Sequence, residues 1–189
     1  MGKLDLLSMI SARRRGRALA VAAGLTLTIG VVLSLLDQRL SETGDGTIGF
    51  EIAGSVERAE GIVAGWEEHG VLAQAALLDG LDYLFALTYA ITLALGCMLA
   101  ALHWRRVGRF QIADRGELFA LAALAAAGFD WVEDAALGVS LLDRVQAPFP
   151  QLALGAAIIK FGCVGLSSVY AASGGVAYLW SRRPRPSRA

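Results

Sequence analysis

Four stretches of the chain are long and apolar enough to form helices that cross a membrane. Residues 18–36 carry no Asp, Glu, Lys or Arg, and residues 81–103 carry a single acid at their beginning. Residues 118–142 carry three acids, and residues 151–180 carry one lysine. Each stretch has about the 20 residues that a helix needs to cross roughly 30 Å of hydrocarbon. The pattern predicts an all-α membrane protein, a single membrane domain (residues 1–189) built as an antiparallel bundle of four transmembrane helices.

The segment between the first two predicted spans, residues 37–80, is the only sizeable part outside them. Ile48, Phe50 and Ile52 alternate with smaller or polar residues, which predicts a short extended segment. Ser55 is expected to N-cap a following amphipathic helix. We interpret residues 37–80 as an amphipathic cap on the outer ends of the bundle, with a lid over an outward-opening site as the alternative. The apolar face of the predicted helix contains Val56, Ala59, Ile62, Val63 and Trp66.

Most basic residues of the chain lie in segments that are predicted to be on one side of the membrane. Its 17 basic and 17 acidic residues balance, but the basic residues cluster before the first predicted span, between the second and third, and after the fourth. By the positive-inside rule, both termini and the middle loop are cytoplasmic and the protein is multi-pass. The three clusters contain Lys3, Arg13, Arg14, Arg15 and Arg17, then Arg105, Arg106, Arg109 and Arg115, and finally Arg182, Arg183, Arg185 and Arg188.

The third predicted span contains Asp130, Glu133 and Asp134. A carboxylate near the bilayer centre costs roughly 2.5–3.5 kcal/mol on insertion scales, so three of them require partners. Counting from the outer ends of adjacent antiparallel spans at about 1.5 Å per residue places Lys160 level with the acids. We therefore expect Lys160 to pair with Glu133 or Asp130. Because buried like charges cannot all be ionised, at least one acid is expected to hold a proton.

The second span contributes further polar groups to this level. Asp82 stands at its outer end, and Tyr89 follows seven residues later on the same helix face. We predict a ligand-binding or proton-relay site in which Glu133 is the main ligand contact or proton acceptor and Lys160 is its charge partner. In the fourth span, Ser167, Ala171 and Gly175 form a small-xxx-small row suited to close helix packing. The predicted site consists of Asp82, Tyr89, Asp130, Glu133, Asp134 and Lys160.

Two other interpretations of the acids stay open. In the first, Lys160 forms one structural salt bridge that fixes the bundle and binds nothing. In the second, Gly128 breaks the third helix, so that the sequence DWVED reaches the outer surface.

Several kinds of site have no support in the sequence. His69 lies in the outer segment and His103 at the inner boundary, so they cannot share a haem, and Cys97 and Cys163 do not form a C-x-x-C pair. No zinc spacing, P-loop, G-x-S-x-G or dinucleotide-binding motif is present. We therefore predict no cofactor and no metal, and the sequence identifies no particular residue as catalytic. The motifs DGLD and DWVED resemble the aspartate-rich motifs of membrane prenyl-transferring enzymes, which hold Mg²⁺, but no set of basic phosphate-binding residues accompanies them.

Three segments together resemble a pattern in bacterial four-helix integral membrane proteins to which no activity is attached. The segments are GFEIAGSVERAEGIVAGW, LDYLFALTYA and FDWVEDAAL, and the family pattern has an L-D-x-L-F-x-x-x-Y span and a later D-x-x-E-N span. Asp134 stands where Asn is expected. The resemblance covers about residues 49–137 and implies a bacterial inner membrane and one site formed by both spans. The matching positions are Asp82, Phe85, Tyr89, Asp130 and Glu133.

The sequence favours a membrane protein that binds or translocates a small polar or cationic ligand or protons. Membrane lipids are its expected surroundings, and no nucleic-acid partner is predicted. Two alternatives stay open. One is an accessory or structural subunit of a membrane complex, or a homo-oligomer, and the other is a metal-dependent enzyme that modifies a lipid or isoprenoid.

Overall fold

The computed structural model describes residues 14–181, and all regular secondary structure within them is helical. The helices are α1 (Arg15–Ser41), α2 (Thr47–Glu51), α3 (Val56–Glu68), α4 (Leu72–Arg106), α5 (Phe110–Ala113), α6 (Gly116–Leu142) and α7 (Phe149–Ser181). Each of the four predicted spans lies inside one long helix: α1, α4, α6 or α7. The outermost members of the basic clusters lie outside the described residues: Lys3, Arg13, Arg182, Arg183, Arg185 and Arg188.

Three of the long helices, α1, α4 and α7, are long and apolar enough to cross a membrane, which indicates a membrane protein. The fourth, α6, is not among them because Asp130, Glu133 and Asp134 lie within its 27 residues. This helix is continuous through Gly128. The interpretation in which Gly128 breaks the helix and exposes the acids is therefore wrong.

The helices α4, α6 and α7 pack closely against one another, whereas α1 packs mainly on α4. Small residues permit the close packing: Gly116 of α6 lies against Ala101 of α4, and Gly174 of α7 lies against Ala100. Only Ala22 and Leu40 are buried along the whole of α1. Within residues 14–181, α1 makes no extensive contact with α6 or α7. A cleft between α1 and α7 follows from this arrangement.

The segment expected to be extended is instead the short helix α2. Asp37, near the end of α1, accepts hydrogen bonds from the Thr47 backbone N–H at 2.7 Å and from the Thr47 hydroxyl at 3.0 Å. Its carboxylate thus satisfies a backbone donor at the start of α2, as an N-cap residue does. After α2 the chain turns at Gly54, whose φ of +68° favours glycine. A Cβ at Gly54 would lie 2.7 Å from Leu154 of α7, so the turn packs directly on that helix.

The predicted amphipathic helix is confirmed as α3. Ser55 caps it by accepting a hydrogen bond from the Arg58 N–H at 3.3 Å, and Trp66 is buried on its apolar face. The Trp66 and Phe50 rings meet edge to face with centroids 5.1 Å apart. These side chains join one hydrophobic cluster with residues of α1, α4, α6 and α7. Both short helices therefore contribute side chains to a hydrophobic cluster shared with the long helices.

Candidate functional site

Lys160 lies at the centre of a buried group of carboxylates. Its ammonium donates to Asp130 Oδ1 at 2.8 Å, to Glu133 Oε1 at 2.9 Å and to Glu51 Oε2 at 3.3 Å. It also lies 2.8 Å from Glu133 Oε2 without hydrogen-bond geometry. A lysine ammonium has three donors, so each has a carboxylate acceptor. The expected pairing of Lys160 with Glu133 or Asp130 is confirmed for both acids.

Glu51 is the partner of Lys160 that the sequence did not predict. It is 7% exposed although it belongs to a segment outside the predicted spans. Its position follows from the folding of residues 47–51 as a helix that begins beside Asp37 and ends over α7. In an extended strand Glu51 would point away from Phe50, because successive side chains alternate. In α2 both Phe50 and Glu51 are buried.

Tyr89 and Asp130 link α4 to α6. The Tyr89 hydroxyl donates to Asp130 Oδ2 at 2.8 Å, while Asp130 Oδ1 accepts from Lys160. Both oxygens of this carboxylate, which is 2% exposed, therefore have donors from two different helices. The arrangement fixes the orientation of Asp130 and supports the expectation that Tyr89 and Asp130 lie together.

Asp134 and Asp82 lie beside this group without pairing to Lys160. Asp82, Asp130 and Asp134 each place a carboxylate oxygen within 4.8 Å of the others. Asp134 is 2% exposed, and its Oδ2 has no hydrogen-bond partner among residues 14–181. The structure thus brings all six predicted site residues into one region, but Lys160 contacts only two of the predicted acids directly.

Two cavities adjoin these residues. The larger, about 510 Å³, lies between α1, α4 and α7 and is lined by both apolar and polar side chains. The smaller, about 50 Å³, lies between α4 and α6 beneath α2 and α3. Glu51 and Asp82 line both, whereas Glu133 is not among the residues that line either. The site residues that line the larger cavity are Glu51, Asp82, Tyr89, Asp130 and Lys160.

The charge of the site is unbalanced. One ammonium faces the carboxylates of Glu51, Asp130 and Glu133 within hydrogen-bonding distance, and Asp82 and Asp134 lie next to them. Burying ionised groups without compensation is costly, and neighbouring carboxylates disfavour each other's ionisation. The arrangement therefore favours the uptake of positive charge, either as bound protons or as a cation.

No protein-family model matches the chain, and no curated protein or solved structure is significantly similar to it.

Proposed function

We propose that the chain is an integral membrane protein that binds a small cationic or polar ligand, or a proton, and holds or translocates it within the membrane. In this proposal α1, α4, α6 and α7 form an antiparallel four-helix transmembrane bundle. The segment that contains α2 and α3 caps its outer ends. Both termini are cytoplasmic, in a bacterial inner membrane, as the charge sorting and the family resemblance suggest.

One observation carries the proposal: Lys160 uses all three of its donors on carboxylates, and further acids remain beside it. A bundle that needed only a structural salt bridge would require one acid for one lysine. Here the larger cavity reaches Asp82 and Asp130, so that a ligand in it can contact the excess negative charge.

The structure favours different roles for the acids from those expected from the sequence. Glu133 is 0% exposed and has both oxygens against Lys160, which supports a role in holding that ammonium. Asp82 and Asp130 line the larger cavity and are the better candidates for ligand contacts. We therefore assign the ligand contact to these two residues, with Glu133 and Glu51 as the counter-ions of Lys160.

The test measures cation-dependent stability of the purified protein. Ammonium, methylammonium and guanidinium chlorides are compared with sodium chloride at equal ionic strength in a neutral detergent. We expect at least one organic cation to raise the melting temperature saturably in the wild type but not in Asp82→Asn. Asp143→Asn is the matched control, because Asp143 is exposed at the end of α6. If the organic cation raised the melting temperature equally in the wild type, Asp82→Asn and Asp143→Asn, this result would contradict the proposal.

A metal-dependent enzyme acting on a lipid or isoprenoid is the second candidate. The observation that favours it is the meeting of Asp82 from DGLD with Asp130 and Asp134 from DWVED. Among the described residues, Lys160 is the only basic residue in this cluster of acids. Its three donors already bind carboxylates, so none is free to bind a diphosphate. Activity on a lipid diphosphate that disappears with a chelator would favour this candidate.

The third candidate is an accessory or structural subunit. The observation that favours it is the poor coverage of α1, which is apolar yet mostly exposed. A partner subunit or a second copy of this chain would bury that face. Isolation in mild detergent of a stoichiometric complex, with no cation effect on its stability, would favour this candidate over ligand binding.

A further inference from the structure

The oxygens of Asp82, Asp130 and Asp134 form a second group, which shares Asp130 with the contacts of Lys160. Asp82 comes from α4 and the other two from α6, and the three oxygens lie within 4.8 Å of one another. Two helices thus hold three hard oxygen donors around one point. A cluster of acids alone does not define a binding site. Evidence for a ligand must therefore come from the surroundings of these oxygens.

Asp134 gives the first independent sign of a ligand. Its side chain is 2% exposed, and its Oδ2 has no hydrogen-bond donor among the described residues. It is also absent from the ion pairs of Lys160. A buried polar oxygen without a partner is costly and rare in folded proteins. Such an oxygen, next to two other carboxylates, points to a positively charged partner from outside the chain.

The smaller cavity gives the second sign. Its volume of about 50 Å³ lies against Asp79, Asp82 and Asp134. A site for one water needs about 10–15 Å³, so the cavity has room for an ion with several waters. Gly138, one turn after Asp134, lets α6 approach Asp79 closely, because a Cβ there would lie 3.1 Å from Asp79 Oδ2.

We propose that Asp82, Asp130 and Asp134 bind a hard divalent cation of the size of Ca²⁺, with water from the smaller cavity completing its coordination. The inference rests on the proposed function and names its ligand. Hard cations prefer oxygen ligands, and Ca²⁺–O distances of about 2.3–2.6 Å place opposite ligands about 4.6–5.2 Å apart. Oxygens that lie within 4.8 Å of one another are inside this span, so they can bind Ca²⁺ without rearrangement.

The charge balance also favours a divalent ion. Six carboxylates of the region, including Asp79 at the smaller cavity, face one ammonium, and that ammonium is already held by Glu51, Asp130 and Glu133. Repulsion between Lys160 and the ion is offset by the acids that lie around both. A divalent cation therefore reduces the excess negative charge of the cluster without displacing Lys160.

The experiment measures equilibrium binding of radioactive Ca²⁺ to the purified full chain in a neutral detergent, with sodium chloride fixing the ionic strength. We expect one Ca²⁺ per chain in the wild type. Asp134→Asn should bind about tenfold more weakly or worse, because the affinity of such sites depends on the charge of their ligands. Asp143→Asn makes the same chemical change on the exposed end of α6 and should bind like the wild type. Equal affinity in Asp134→Asn and the wild type would overturn the assignment.

A second readout separates a ligand-binding role of Asp134 from a structural one. In a chelating buffer, Asp134→Asn should melt at no lower a temperature than the wild type, because the amide replaces a partnerless carboxylate. A clearly lower melting temperature would mean that Asp134 stabilises the fold itself and would contradict the proposal. If Asp134→Asn does not fold, that result also counts against it, and Asp82→Asn provides the remaining affinity comparison.

The outcomes also distinguish this inference from the proposed function. Absence of Ca²⁺ binding, together with an organic-cation effect that requires Asp82, would overturn only the identity of the ion. Absence of both effects would overturn the ion and the cation-binding function together.

Discussion

At the scale of single residues, the site depends on carboxylates that already have fixed donors. Asp130 accepts from Lys160 on one oxygen and from Tyr89 on the other. Glu133 accepts from the ammonium on Oε1 and has Oε2 2.8 Å from it. These contacts hold two acids rigid and leave Asp134 and Asp82 as the groups whose oxygens lack a donor from Lys160. Asp130 thus belongs both to the counter-ions of Lys160 and to the group of acids that includes Asp82 and Asp134.

The Tyr89 hydrogen bond should contribute measurably to stability. Tyr89→Phe removes the donor to a buried carboxylate, and hydrogen bonds to charged groups contribute about 1.5–3 kcal/mol. We expect a loss of this size in the free energy of unfolding, measured by denaturant titration in detergent. Tyr83→Phe, on the same helix but 36% exposed, should lose about 0.5 kcal/mol or less, as surface substitutions do. Equal losses would argue against a special role for the Tyr89–Asp130 contact.

At the scale of helices, small residues let α4 approach α6 and α7 closely enough for the acids to meet Lys160. The predicted row of Ser167, Ala171 and Gly175 is partly displaced in the structure. Ala171 faces Gly96, but it is Gly174, rather than Gly175, that lies against Ala100. The buried positions of α7 near this contact are Ser167, Tyr170 and Gly174, a spacing of three and four residues.

Neighbouring glycines of α7 allow a matched test of this packing. A Cβ at Gly174 would overlap Ala100, whereas a Cβ at Gly175 would meet nothing within 4 Å. Gly174→Ala should therefore cost about 1–3 kcal/mol of unfolding free energy, as overpacking does. Gly175→Ala should be neutral or stabilising by up to about 1 kcal/mol, because alanine has the higher helix propensity. If Gly175→Ala lowered the melting temperature more than Gly174→Ala, this result would contradict the contact between Gly174 and Ala100.

The features of the helices that depend on a local sequence pattern could be predicted from the sequence. The apolar runs predicted the four long helices, and the constant rise per residue predicted that Lys160 lies level with Asp130 and Glu133. Glu51 could not be predicted in this way. Three alternating apolar residues indicated a strand, while the start of α2 is set by Asp37, ten residues earlier in the chain. A contact between separate elements decides this conformation, and no local pattern records it.

At the scale of the whole molecule, the net charge is zero, but the basic and acidic residues lie in different regions. Arginines lie at the end of α4 that is remote from Asp82, whereas six acids, including Asp79, lie with Lys160 nearer the other end. The loosely packed α1 forms one wall of the larger cavity. The larger cavity thus extends from α1 to Asp130 and Lys160 of the acidic cluster.

Removal of Lys160 tests the central claim, that this buried acidic cluster requires and binds positive charge. Lys160→Ala leaves three carboxylates without their counter-ion, and breaking a buried ion pair costs about 3–5 kcal/mol. We expect a loss of unfolding free energy of this size, largely avoided in Lys160→Arg, which keeps the charge.

The decisive measurement is the melting temperature of Lys160→Ala during titration with propylammonium, with propanol as the uncharged control. We expect a saturable recovery with propylammonium alone, because the small cation replaces the missing ammonium among the acids. Undiminished stability of Lys160→Ala, or equal recovery with propanol, would contradict the central claim.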